Sequence, residues 1–592
     1  MKSETKICKN CKNSFTIEPE DFLFYEKIQV PPPTFCPECR LIRRFAFRNE
    51  RSLYKRRCDL CGLEKIMMFP AKTPFPVYCY QCWWSDKWDV KQYNRDYDSS
   101  RPFFEQFRDL MIAVPRPGII KQGFSVDSEY TNRVTDQRGC YLVFGSTLTE
   151  FCRYGTRFNF SKECMDGYNV QKSERCYECI DCLQCYNLGF SQECNSCSDS
   201  WFLRDCVNCQ NCFGCVNLRN KKYCIFNQQY TKEEYHKIIS GYAFGDYKSL
   251  EEWEAKFADF KKKFIVPALV GRQNSNVSGN WIDNSKNVQH SFMCTNVEEA
   301  RYCEMLFNAK DAMDFSSWGA GSERIYEAVN TGMQCANLRF SNECWIQMID
   351  GEYTMNCQNS RNLFGCIGLR NAQYCVLNKQ YNQAEFEALT VKIRKEMDER
   401  PYTDKKGRVY RYGEFFPTEL SPHAYNETIA QEFFPLTKAE ALERGYRWQE
   451  PEEKKYAVTV KSEQLPDNIK DASDSLTKEV IGCVHGGKCN HLCTTAFRII
   501  PDELKTYKLT SLPLPRLCPN CRHYERLAKR PPLKLWNRKC QCEGGQSENS
   551  VYKNNIGHFH GNEHCQNVFE TAYAPEGPEI VYCRQCYDNE VV

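Results

Sequence analysis

Histidine is scarce in this chain, 9 of 592 residues, so chemistry built on imidazole acid–base pairs has little raw material. Long apolar runs are missing too. Mean hydropathy is −0.64, and no stretch approaches the roughly 18 apolar residues of a membrane helix. The opening MKSETKICKNCKNSF lacks the apolar core of an export signal, which sets the expectation of a cytoplasmic protein. An excess of one charge is absent: 79 Lys and Arg stand against 76 Asp and Glu, for a net +3. That excludes a polyanion binder working by bulk charge and leaves only local basic patches. There is no HExxH, no phosphate-cradling glycine loop and no nucleophile motif. Disorder is excluded over most of the length, because aromatic residues make up 14%.

What the chain has instead is cysteine, 39 residues. Without an export signal, thiols in such number persist as metal ligands or as small buried apolar groups. They fall into four blocks: eight from Cys8 to Cys82, fourteen from Cys140 to Cys224, seven from Cys294 to Cys375 and ten from Cys483 to Cys586. The first block is four CxxC pairs. Each pair puts two sulfurs on one side of a metal and a second pair closes a tetrahedron, a geometry Zn²⁺ accepts well. Sequential pairing gives one site as Cys8, Cys11, Cys36 and Cys39, and a second as Cys58, Cys61, Cys79 and Cys82.

The last block repeats the first. Cys518-Pro-Asn-Cys521 matches Cys36-Pro-Glu-Cys39 at an offset of 482, and Tyr507 matches Tyr25 at the same offset. The expected third site is Cys489, Cys493, Cys518 and Cys521, with Cys483 left over. The fourth is Cys540, Cys565, Cys583 and Cys586, with an insertion between its first two members. Cys542 is the alternative to Cys540, and His558, His560 and His564 of the insertion read as a polar loop. Four zinc ions are expected in all.

The segment ICKNCKNSFTIEPEDFLFYEKIQVPPPTFCPECR resembles the zinc-ribbon domain of treble-clef type: C-x-x-C, an aromatic-rich stretch ending in Tyr, then C-P-x-C-R. CNHLCTTAFRIIPDELKTYKLTSLPLPRLCPNCR resembles it too, with CxxxC as its first pair. The whole chain is similar to large cysteine-rich bacterial proteins that carry such a ribbon at both ends. The resemblance implies zinc and a treble-clef fold, and it implies no reaction.

The middle blocks have a fixed period. Cys140, Cys152, Cys164 and Cys176 are 12 apart; after a shift of six, Cys182, Cys194 and Cys206 are again 12 apart. A step of six or twelve residues with turn residues between short apolar pieces points to a β-solenoid. The third block repeats the second at an offset that drifts from 148 to 151. Cys164 becomes Ala312, Cys176 becomes Ile325, Cys179 becomes Ala328, Cys209 becomes Ser360 and Cys212 becomes Leu363. A ligand cannot become Ala, Ile or Leu and keep its metal, so these thiols read as core. The run Cys176, Cys179, Cys182, Cys185 is where a solenoid metal would sit if there were one. Capping boxes at Thr231/Glu234 and Asn382/Glu385 mark a helix closing each copy.

The expected fold is therefore mainly β: two tandem cysteine-rich solenoids with helical caps, flanked by double zinc modules. The boundaries are 1–95 for the first module, 96–135 for a connector, and 136–266 and 267–400 for the solenoids. An aromatic and Pro-rich helical segment, 401–450, and a polar linker, 451–480, precede the second module, 481–592. Basic residues lie between the paired sites: Arg40, Arg43, Arg44, Arg48, Arg56 and Arg57 at one end, and Arg522, Arg526, Arg530 and Arg538 at the other. A helix opening at Cys39 aligns Arg40, Arg44, Arg48 and Arg51 on one side. Basic groups interleaved with aromatics suit phosphate contact and base stacking, whereas a solvated face is the plainer reading of a charge run. The functional expectation is a non-enzymatic zinc-binding protein that holds RNA or DNA through these segments. The alternative is a protein–protein scaffold with structural zinc. Four thiolates close each site, so none offers the open position of a catalytic zinc.

Overall fold

A computed structural model describes residues 2–450 and 457–592. It is mainly β and divides into two compact units: Met1–Ile120 with Leu269–Gln449, and Lys121–Ala268 with Glu450–Val592. Each unit joins one double cysteine module to one solenoid, and the solenoid is not the module's nearest in sequence. No helix among the described residues is long and apolar enough to cross a membrane.

The solenoid rung is 12 residues: Tyr141 pairs with Arg153, Tyr168 with Ile180 and Tyr186 with Ser198, all in parallel. Within a rung the backbone turns at every third residue through a left-handed conformation, as at Glu163, Asp166, Asn169 and Lys172. Residues other than Gly adopt positive φ at a cost, least for Asn and Asp, which explains the many Asn and Asp at these corners. Corner side chains bond from rung to rung: Asn187 donates to Asp199 at 2.9 Å and Asn208 to Asn220 at 2.7 Å. The residue after each corner is buried in the interior. The series from Cys176 runs Cys179, Cys182, Cys185, Leu188, Ser191, Cys194 and Cys197, all at or below 2% exposure. The sequence period of six is thus a period of three seen through its most frequent residue.

This interior explains the choice of cysteine. Small groups recur at these inward positions, and a thiol lies between two backbone carbonyls. Cys179 Sγ is 3.4 Å from both Tyr177 O and Leu188 O, and Cys182 Sγ is 3.4 Å from Ile180 O and 3.6 Å from Ser191 O. Ser191 at an equivalent position donates to Gly189 O at 2.8 Å and accepts from Leu203 N at 3.0 Å, so Ser and Cys interchange there. In the second solenoid Ala312, Ile325, Ala328 and Leu363 occupy the same interior. Burial pushes its thiols up, Cys294 and Cys344 to about 12. The drifting offset also has a structural cause. Three junctions there step by 13, pairing Ala312 with Ile325, Tyr326 with Arg339 and Ser341 with Thr354, before Met348 with Ser360 restores 12.

The caps lie where the boxes placed them. Thr231 caps Lys232–Ser240 and Asn382 caps Gln383–Glu399, each with its box closed on both sides. The expected polar linker falls partly outside the described residues, at 451–456. From 457 onward it is packed: Leu465, Ile469 and Ala472 are buried in a core shared with Tyr507.

Candidate metal centres

Four hairpin–helix pieces hold the terminal cysteines. The hairpins are Glu4–Ile7 with Ser14–Ile17, Tyr54–Arg57 with Glu64–Met67, Ile481–Gly482 with Ala496–Phe497, and Trp536–Lys539 with Val568–Thr571. Each hairpin turn supplies two sulfurs. The other two come from the first turn of a helix whose N-cap is itself a cysteine: Cys36, Cys79, Cys518 and Cys583. Pro37 and Pro519 fit the first helical position, where no backbone donor is needed. The N-cap backbone N–H donates to the first hairpin sulfur in every copy: Cys36 to Cys8 at 3.2 Å, Cys79 to Cys58 at 3.2 Å, Cys518 to Cys483 at 3.3 Å and Cys583 to Cys540 at 3.1 Å.

That repeated bond corrects one expected ligand. The counterpart of Cys8 is Cys483, not Cys489, and the third set is Cys483, Cys493, Cys518 and Cys521. The reason is that residues 484–492 are an insertion in the hairpin turn, so spacing from Cys493 misassigns its partner. The other sets fall together as expected: Cys8, Cys11, Cys36 and Cys39; Cys58, Cys61, Cys79 and Cys82; and Cys540, Cys565, Cys583 and Cys586. Sulfur–sulfur distances are 3.7 Å for Cys11–Cys36, 3.9 Å for Cys493–Cys518 and 4.0 Å for Cys61–Cys79 and Cys565–Cys583. A tetrahedron with metal–sulfur bonds of about 2.3 Å has edges of about 3.8 Å, so the sets fit a metal ion. Hydrogen bonds from neighbouring thiols draw one member well down in three sets: Cys8 by Cys36, Cys518 by Cys483 and Cys583 by Cys540. Such a set can hold a cation, which offsets the mutual repulsion of four crowded thiolates.

Most arginines of the basic segments do not face outward. The helix Pro37–Phe45 ends before Arg48 and Arg51, so the expected four-arginine face does not form. Its guanidiniums meet carboxylates of the solenoid and of the segment that follows it. Arg40 Nε is 2.9 Å from Asp314, Arg44 Nη1 is 2.8 Å from Asp314, and Arg43 lies 2.6 Å from Glu327 and 3.1 Å from Glu414. Arg48 donates to Asn330 at 2.8 Å. In the other unit Arg522 pairs with Asp166, Arg526 with Asp166 at 3.1 Å and Glu178 at 2.6 Å, and Arg530 with Asp181 at 2.7 Å. All seven arginines are at most 8% exposed. Arg56 is also buried, donating to Pro70 O and paired with Asp59 at 2.8 Å. Arg538 donates to Ala574 O and Gln541, and Arg57 is exposed. A guanidinium buried against carboxylates presents no charge to a phosphate, so Arg40, Arg43, Arg44, Arg48, Arg522, Arg526 and Arg530 are engaged within the fold. Trp83 is buried, and Arg370 stacks 4.9 Å from its ring and 4.3 Å from that of Trp84.

The two docking faces correspond residue by residue. Arg40, Arg44 and Arg48 become Arg522, Arg526 and Arg530 at the module offset of 482, while Asp314, Glu327 and Asn330 match Asp166, Glu178 and Asp181 at solenoid offsets of 148 and 149. Sequence reading found each repeat separately. The carboxylates at matching solenoid positions were the available signal that module and solenoid are partners.

No protein-family model matches the chain, and no curated protein matches it. Among solved structures, a protein from Desulfovibrio desulfuricans G20 assigned as an acetyltransferase aligns with 55% of this chain and 93% of its own, at 10% identity and a TM-score of 0.09. A superposition of that quality carries no argument about fold or activity.

Proposed function

We propose that the protein is a non-enzymatic, zinc-dependent binding scaffold, in which treble-clef zinc ribbons clamp the solenoids. The observation that carries this reading is the duplicated lock: arginines on the helix that each Cys-Pro-x-Cys turn starts are buried against carboxylates of a solenoid. The metal ties the start of that helix to its hairpin, so it fixes where the arginines stand. Four protein sulfurs per ion leave no position for a substrate, which supports a structural rather than catalytic role. With the arginines engaged, a protein partner is favoured over RNA or DNA. Thirty-nine free thiols suit a reducing compartment such as the cytoplasm.

Metal removal tests this. After exhaustive chelation, amide hydrogen exchange should quicken sharply across Pro37–Phe45 and Pro519–Ala528 while the solenoid rungs keep their protection, since structural zinc supplies about 10–16 kcal/mol to small modules. Unchanged protection of both helices in metal-free protein would overturn the reading.

A further inference from the structure

The insertions that set the second module apart carry the ligands of their own. Residues 484–492 hold His485, Cys489 and His491. With Cys521 these donors form a second set whose ligand atoms all lie within 4.8 Å of one another. Cys521 therefore belongs to two sets at once. Its sulfur is 3.8 Å from Cys483 Sγ in the tetrathiolate and 3.7 Å from Cys489 Sγ in the new set. His485 Nε2 faces Glu525 at 3.5 Å, while Nδ1 of His485 and of His491 are buried without a hydrogen-bond partner among the described residues. A carboxylate on one imidazole nitrogen that leaves the other free is the usual support of a metal-bound histidine. The parallel ring of Tyr524, 5.5 Å from that of His491, fixes its plane.

The fourth site has an insertion with the same kinds of donors at different spacing. Its insertion, 541–564, brings Cys542, His558 and His560. Cys586 Sγ is 3.4 Å from His560 Nε2, and Cys542 is buried in the same cluster as Cys586. His560 Nδ1 bonds Glu563 O at 2.6 Å, which directs Nε2 to the sulfur. His558 Nε2 meets Glu590 at 3.2 Å and its Nδ1 is buried without a partner among the described residues. The first module has neither insertion: Cys8 to Cys11 and Cys58 to Cys61 are plain CxxC turns.

We propose that each tetrathiolate of the second module is one half of a two-metal centre, with Cys521 and Cys586 as bridging thiolates. The second ions are held by His485, Cys489, His491 and Cys521, and by Cys542, His558, His560 and Cys586. Each centre then has five thiolates and two neutral imidazoles, a charge of −5 against +4 from two divalent ions, and every thiol ligand gives its proton to solvent on binding. Two sulfurs and two nitrogens suit Zn²⁺.

The inference rests on the tetrathiolate reading, and the experiment separates the two. Native mass spectrometry of the full chain loaded with Zn²⁺ should give six ions. His485→Ala with His491→Ala should lose one, as should His558→Ala with His560→Ala. Cys489→Ser should also lose one, whereas Cys521→Ser should lose two, because only a bridge serves both. A parent holding four ions, or histidine variants that keep the parent's count, overturns the inference and leaves the tetrathiolates standing. Loss confined to one histidine pair overturns it for the other centre. A parent below four overturns the tetrathiolate reading as well.

Discussion

Arg43 of the first unit and Glu525 of the second occupy the same place on matching helices, and their charges are opposite. Arg43 reaches Glu327 and Glu414 and is buried. Glu525 is half-exposed and meets His485, a residue of the insertion that the first unit lacks. The other lock arginines, at positions 40, 44 and 48, are retained as Arg522, Arg526 and Arg530 and keep solenoid partners at matching rungs. The docking face thus keeps the arginines that have solenoid partners in both units and changes at the one position that, in the second unit, borders an added loop.

The strongest way to break this comparison is to give the first unit the second unit's charge. Arg43→Glu places a third carboxylate between Glu327 and Glu414 in a buried site. Breaking a buried pair costs about 3–5 kcal/mol, because the remaining charge stays desolvated. Burial pushes Glu327 up, with Arg43 the foremost of the arginines that oppose it. The reverse exchange, Glu525→Arg, touches a half-exposed residue and should cost under about 1 kcal/mol. Urea unfolding midpoints of the two variants measure the asymmetry, and equal shifts would show that the lock does not depend on Arg43.

Much of this was legible in the chain. Four CxxC pairs and the 482 offset anticipated three of the four groups of cysteines that the fold gathers at metal-binding distances, and three members of the fourth, because metal geometry ties spacing to chemistry. Cys489 was misassigned since an insertion preserves three-dimensional position and not sequence distance. The solenoid showed as a period of twelve, but its period of three was masked wherever Ser, Val, Leu or Gly replaces Cys at an inward position. The burial of most of the arginines was not legible, because a charge run reads alike whether it meets water, phosphate or buried carboxylates. Only Asp314 and Asp166, Glu327 and Glu178, each pair at equivalent rungs, held the answer.

A smaller difference lies in the two interiors, fourteen thiols in one block against seven in the other. If the thiols act as space-filling groups, substitution should follow volume and not sulfur chemistry. Cys209→Ser copies Ser360 of the other solenoid, keeps a donor beside the same carbonyls at 3.4 and 3.5 Å, and should cost under about 1.5 kcal/mol. Cys176→Ile copies Ile325 and adds two heavy atoms where neighbouring rungs have not adjusted, so it should cost about 1–3 kcal/mol. Metal content should stay at the parent's value in both. Loss of metal from either would mean that Cys176 or Cys209 is a ligand after all.

The finest contrast is a carboxyl present in one lock and missing from the other. Glu304 accepts from Ser316 at 2.7 Å and lies 3.3 Å from Arg44; its counterpart at the 148 offset is Thr156. Burial pushes the Glu304 carboxyl up from its ordinary 4.5 to about 7, with Arg44 pulling the other way. The folded protein therefore keeps a proton that the unfolded chain has released. The stability from that proton is fully present below pH 4.5, declines as pH rises, and is lost above about pH 7. The shift sets an upper bound of about 3 kcal/mol. Glu304→Gln holds the shape without the titration, so parent and variant should diverge across this window, the parent losing stability relative to the variant as pH rises. Thiolate protonation acts on both proteins alike and cancels in the difference. Unfolding curves of the two proteins at saturating Zn²⁺ from pH 5 to 8 provide the measurement, and parallel profiles would place the Glu304 proton outside the folding equilibrium.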